Sequence, residues 1–159
     1  MFKKYYNRLL TRKVKSIQLE DERIYLKLER AYYDYYWGEH LETYSYEIYR
    51  KEPHALIGYC DIRLGDFQTL YYLGHIGYNI LVPYRGQRYS LAASRLLLVL
   101  ARHLEMDELL ITCNADNGAS QRIIELLGGE FIDLAVVPKD EPLYRQGDRL
   151  KRVYRIDLR

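Results

Sequence analysis

Gly74-His75-Ile76-Gly77-Tyr78-Asn79-Ile80-Leu81-Val82-Pro83-Tyr84-Arg85-Gly86-Gln87-Arg88-Tyr89-Ser90 is the stretch whose reading decides the fold. It begins as an apolar strand, passes through a basic turn holding Gly86, and runs into a segment where Ala92, Leu96, Leu100 and Leu104 recur every four residues. Ala93, Leu97 and Ala101 sit beside them, so the segment reads as a helix with a broad apolar stripe. Leu109-Leu110-Ile111-Thr112-Cys113 is short, continuously apolar and bounded by acids and Asn, the pattern of a buried parallel strand. Asp116 or Asn117 can cap a further helix, with Ala119, Ile123, Leu126 and Leu127 as its inner face and Gly128-Gly129 as its end. Strand, crossover helix and parallel strand make one right-handed unit. A strand delivering a glycine-containing turn to a helix start gathers unpaired backbone N–H groups, so the turn from Arg85 to Ser90 reads as an anion cradle suited to a diphosphate.

Working outward, the segments before this unit alternate. Arg23 to Tyr32, Thr43 to Arg50 and Ala55 to Leu64 read as three strands of an antiparallel meander, with Tyr33 to Leu41 as a connection and Lys51 to His54 as a turn. A fourth strand covers Tyr72 to Leu81. Phe131 to Val137 and Lys151 to Leu158 close the fold as two more strands around a loop at 138–148. The 18 tyrosines suit a strand-rich first half, as cross-strand pairs and core or as the lining of an acceptor groove. With 159 residues and no repeat or linker, the chain is expected to form one mixed α/β domain over 1–159.

Charge is balanced, 24 Lys plus Arg against 22 Asp plus Glu, and gives no general argument for nucleic acid. The distribution is uneven: Lys3, Lys4, Arg8, Arg12, Lys13 and Lys15 fall in the first fifteen residues with no acid among them. That arm is either a solvated terminus or a contact for phosphate-rich partners. Cys60 and Cys113 lie in apolar segments without ligand spacing, so no metal site is expected and both are read as reduced thiols of a cytoplasmic protein. No apolar run approaches the roughly 20 residues a membrane helix needs.

The run Tyr84-Arg85-Gly86-Gln87-Arg88-Tyr89-Ser90 resembles the cofactor loop of the GNAT superfamily of acyl-CoA-dependent N-acetyltransferases. Asn114 to Ser120 with Glu125 to Gly129 is similar to that family's second segment, and Gly74 to Tyr78 to the strand before the loop. The resemblance covers about residues 55–135. It implies a GNAT-like acyl-CoA N-acyltransferase fold, with antiparallel N-terminal strands and a central parallel strand pair splayed around acetyl-CoA. Backbone N–H groups of Gly86, Gln87, Arg88, Tyr89 and Ser90 would hold the pyrophosphate, with Arg85 adding a charge. The main chain of Tyr78, Asn79 and Ile80 would line one side of the pantetheine arm, and Asn117 and Ser120 the other.

Two departures stand out. Arg88 occupies a glycine position of the pattern, where a side chain disfavours positive φ; either the loop adapts or the guanidinium contributes to a phosphate itself. Ile124 stands where many members carry a tyrosine that protonates the departing thiolate. No carboxylate lies between Phe67 and Glu105, so His75 is the candidate base, unless it only bonds locally. The implied activity is acetyl transfer from acetyl-CoA to a primary amine, small-molecule or peptide, with no membrane or nucleic-acid partner and a homodimer left open. The alternative is a non-catalytic acyl-CoA-binding or sensor module.

Overall fold

The structure, a computed structural model, describes residues 7–159. Lys3 and Lys4 of the basic arm lie outside the described residues. The described basic residues Arg8, Arg12, Lys13 and Lys15 are exposed, on a helix that is docked by its other face: α1 (Arg8–Val14) buries Leu10 and Val14, and the Asn7 side chain caps it by accepting from the Leu9 and Leu10 N–H groups. Lys13 is neutralised by Glu42 at 2.9 Å, and its carbonyl accepts from His103 Nε2 at 2.8 Å.

Four strands, β1 (Ile24–Tyr36), β2 (Glu39–Arg50), β3 (Ala55–Leu64) and β4 (Ile76–Ile80), form one antiparallel sheet in chain order. The expected connection at 33–41 is instead the tip of the β1–β2 hairpin, with Tyr36 opposite Glu39. Its two central residues, Trp37 (φ 45°) and Gly38 (φ 85°), both take positive φ, which matches the twist of the flanking strands. β4 is shorter than the 72–81 expected. Asp66 draws the preceding segment into turns by accepting from the Thr69 N–H at 2.7 Å, and the Leu70 N–H bonds the Asp66 carbonyl.

From β4 the chain enters α2 (Tyr89–His103), which packs on β1, β3 and β4 and buries Ala93, Leu97, Leu100 and Ala101 completely. Burying each leucine contributes about 1.5–3 kcal/mol. Opposite them lie Tyr44, Ile48, Ile57 and Ile62 of the first sheet, so the main core is a helix pressed on a sheet. β5 (Glu108–Asn114), α3 (Gly118–Leu126), β6 (Glu130–Val136), α4 (Pro142–Arg145) and β7 (Leu150–Asp157) follow. The three strands form a second antiparallel sheet in the order β5-β7-β6. The loop expected at 138–148 thus contains a short helix.

No ladder joins β4 to β5 among the described residues, so the expected central pair is divided between two sheets. They meet at His75: its N–H donates to the Leu110 carbonyl at 2.8 Å, and the Leu110 N–H donates back to His75 Nδ1 at 2.9 Å. Thr112 adds a bond to the Tyr72 carbonyl at 2.8 Å. No helix of the described residues is long and apolar enough to cross a membrane.

Candidate active site

A cleft of about 540 Å³ opens beside the C-terminal half of β4. Tyr78, Asn79 and Ile80 form one wall, the turn and the start of α2 form the floor, and Asn117, Ser120 and the next turn of α3 form the other wall. Of the residues expected to hold the cofactor, Arg85, Gly86, Arg88, Tyr89 and Ser90 line it as well, whereas Gln87 does not. Gln87 instead gives its carbonyl to Arg23 Nη2 at 2.7 Å.

The turn gets its shape from local chemistry. Val82-Pro83-Tyr84 is a single 3-10 turn with the proline in its first positions, ended when the Arg85 N–H bonds the Val82 carbonyl. Gly86 takes φ 83° and Arg88 φ 61°, so the chain reverses in two left-handed steps. Arg88 therefore keeps the conformation a glycine would take, at a strain of about 1–2 kcal/mol. The first bond of α2 is from the Ala92 N–H to the Arg88 carbonyl. The N–H groups of residues 86–91 consequently meet no protein acceptor among the described residues. They are the orphan donors of a helix start, with the positive end of the α2 dipole behind them.

Arg85 lines the cleft and also braces the strand before it. Its Nε donates to the Ile80 carbonyl at 2.8 Å and its Nη2 reaches Asn79 Oδ1 at 3.4 Å, so the guanidinium buttresses the end of β4. The cations on the cleft wall are Arg85, Arg88 and Arg122. β4 is an edge strand, so alternate main-chain groups on the side away from β3 have no strand partner there. Asn117 caps α3 by accepting from the Ser120 N–H at 3.1 Å and still lines the cleft.

Of the inner face expected for α3, Leu127 packs against the core and the other three residues are corrected. Ala119, Ile123 and Leu126 line the cleft, and Ile124 is the residue driven into the core, wholly buried against Gly129. At the tyrosine position of the family pattern there is therefore only core hydrocarbon. A phenol comes from the other wall: Tyr78 lines the cleft across from Ser120. Burial pushes the Tyr78 phenol up, and Ser120 works the other way.

His75 is corrected too. It is 1 % exposed and lies outside the cleft lining. Nδ1 accepts the Leu110 N–H, which fixes the proton on Nε2, and Nε2 donates to the Gly65 carbonyl at 3.1 Å. Burial lowers its pKa. With both ring nitrogens engaged, the imidazole fastens the two sheets together and has no lone pair to offer a substrate.

A second cleft, about 450 Å³, lies against the first sheet, with Tyr78 and Asn79 of β4 bordering both. Asp61, directly opposite Gly77 in the β3–β4 ladder, lines it. The Asp61 carboxylate is held by Arg63 Nη2 at 2.9 and 3.1 Å, and burial, outweighing the arginine, raises its pKa.

The sequence profile of the acetyltransferase (GNAT) domain matches residues 5–130. No curated protein matches the chain in sequence. Among solved structures, a GNAT-family acetyltransferase from Bacillus anthracis superposes with a TM-score of 0.63 at 13 % identity, covering 89 % of this chain and 99 % of that one. An acetyltransferase from Agrobacterium tumefaciens gives 0.60 at 19 % identity over 88 % and 94 % of the two chains. The Microcin C7 self-immunity acetyltransferase MccE, solved in complex with acetyl-CoA and AMP, gives 0.54 at 16 % identity over 72 % of this chain and 61 % of its own. The profile spans most of the chain and the superpositions share its fold; this chain belongs to the GNAT acetyltransferases, acyl-CoA-dependent N-acetyltransferases that use acetyl-CoA as co-substrate.

Proposed function

We propose that the chain transfers the acetyl group of acetyl-CoA directly to a primary amine, with the pyrophosphate of CoA seated at the start of α2. The observation that carries this reading is the array of N–H groups at residues 86–91, without protein acceptors among the described residues, on the floor of a cleft large enough for an extended ligand. Main-chain donors at a helix start bind an anion without freezing side chains. Arg88 and Arg122 supply charge, and the open edge of β4 offers partners to the amides of pantetheine on the wall that Asn117 and Ser120 face.

In the reaction the amine nitrogen bonds to the thioester carbonyl carbon, and the carbon–sulfur bond breaks. CoA leaves as a thiolate, which takes a proton from the Tyr78 hydroxyl. The proton shed by the attacking amine passes to the Asp61 carboxylate, directly or through water, and Asp61 replaces His75 in that role. Holding thioester and amine at adjoining walls of β4 supplies much of the rate. The buried, unpaired thiols of Cys60 and Cys113 suit the reducing cytoplasm that this reading assumes.

Isothermal titration with CoA tests the reading. The wild type binds, and Gly86→Asp, which sets a carboxylate among the phosphate donors, abolishes binding in a protein that still folds, less stable by about 1–2 kcal/mol because a side chain at φ 83° is strained. Equal affinity of the two proteins for CoA would overturn it.

A further inference from the structure

Glu29 is the one residue of β1 without a partner on β2: the register slips between Leu28, opposite Tyr46, and Arg30, opposite Ser45. Bulges of this kind re-aim a side chain. The displaced residue lines the second cleft together with Ser45, Tyr59 and Asp61. Its carboxylate makes no hydrogen bond or ion pair with any described residue, unlike Asp61, which is matched by Arg63. The cleft therefore holds two carboxylates and one guanidinium, and its uncompensated charge is at Glu29. Ser45 of β2, opposite Asp61, lies between the two acids, and Tyr59, 41 % exposed, supplies an aromatic flank on β3.

The strand order sets the geometry. Asp61 lies on β3 next to β4, beside the Tyr78–Asn79 wall where the two clefts meet. Glu29 lies on β1, two strands further out, which puts the two backbones about 10 Å apart. That separation is too great for Glu29 to reach the amine being acetylated. It suits a second positive charge on the same acceptor.

We propose that the second cleft is the acceptor site and selects a molecule that is a dication in solution: a short aliphatic diamine whose distal ammonium is held by Glu29 and whose reacting nitrogen, having released its ammonium proton to solvent, lies at Asp61 as the neutral amine. Glu29 is a specificity-determining residue and takes no part in bond making. On the floor of the groove Gly77 lets the Asp61–Arg63 pair lie close against β4: a Cβ there would stand 2.7 Å from Asp61 Oδ1 and 3.1 Å from Arg63 Nη2.

This inference rests on the acetyl-transfer reading, so CoA binding by calorimetry is measured first, and its absence overturns both. In a protein that binds CoA, thiol release from acetyl-CoA is followed with putrescine and with butylamine, a chain of the same length carrying one charge. The expected kcat/KM ratio is about tenfold or more in favour of the diamine, the factor that one charge-assisted contact supplies. Glu29→Gln, which keeps the side chain's shape, raises KM for putrescine by about that factor and leaves kcat and the butylamine constants unchanged. Its melting temperature stays at the wild-type value. Equal rates for the two amines, an equal loss on both in Glu29→Gln, or a preference for a peptide amine without a second charge would each overturn the dication site while leaving acetyl transfer standing.

Discussion

Replacing His75 by alanine separates two roles that histidine plays in proteins. In the structure the ring bonds the Gly65 carbonyl and the Leu110 N–H, and the residue is 1 % exposed. Alanine leaves the Leu110 N–H without a partner where water does not reach, at about 1–3 kcal/mol, and frees the carbonyl of the exposed Gly65 to turn to water. The emptied ring volume adds a cavity cost, so a loss of about 4 kcal/mol is expected, a large share of the 5–15 kcal/mol that holds a typical domain together. The pH dependence carries a second signature. Burial holds the folded-state pKa of His75 below its ordinary value of 6.5, so the unfolded chain takes up a proton that the native ring refuses. The stability contributed by the neutral ring is complete above pH 6.5 and is lost as pH falls from there toward the depressed native value. Urea unfolding of wild type and His75→Ala between pH 8 and pH 5 checks both effects. The gap between the two curves should be widest at neutral pH and narrow on acidification. A variant as stable as the wild type, but with thiol release reduced about a hundredfold, the range of a lost general base, would refute the sheet-fastening role and restore His75 to catalysis.

Two further outcomes follow from the cleft. Arg88→Gly relieves a left-handed residue and should raise stability by about 0.5–1 kcal/mol in chemical denaturation, while CoA affinity in low salt falls because a cation leaves the wall; a destabilised variant would contradict the strain assigned to φ 61°. Tyr78→Phe should lower kcat by tenfold or more with CoA affinity unchanged, read by thiol release and calorimetry, and unaltered kcat would remove Tyr78 as the proton donor.

Some of this was open to reading in the chain and some was hidden for physical reasons. The four-residue recurrence of Ala92, Leu96 and Leu100 reports burial directly, and α2 lies where it predicts. The glycine turn was legible because backbone donors at a helix start need only a local sequence. The apolar side of α3 was misassigned because Ala119, Ile123 and Leu126, facing a cleft, have the same spacing as residues facing a core. Periodicity records that a face is kept from water, not what covers it. The Trp37–Gly38 hairpin escaped notice because the run Tyr32 to Tyr36 puts aromatics on both faces of β1, which erases the alternation that marks a strand. For His75 no local signal existed: its partners are 10 and 35 residues away, and only the meeting of the two sheets consumes both nitrogens. Tyr78 was read only for its main chain, although its place on the strand, one residue before Asn79, was enough to raise the side chain as well.

The division of the strands into two sheets has a mechanical consequence. Each plate is closed by its own hydrogen bonds, and the fastening at His75 lies where β4 begins, before the cleft. Beyond that point no ladder joins the plates among the described residues, and they are held at their angle by one shared apolar core that includes Ile76 of the first and Ile111, Tyr154 and Ile156 of the second. The angle of the opening between them is therefore set by side-chain packing, and a change in the volume of one of those shared core residues would alter the width of the cleft without touching a residue that lines it.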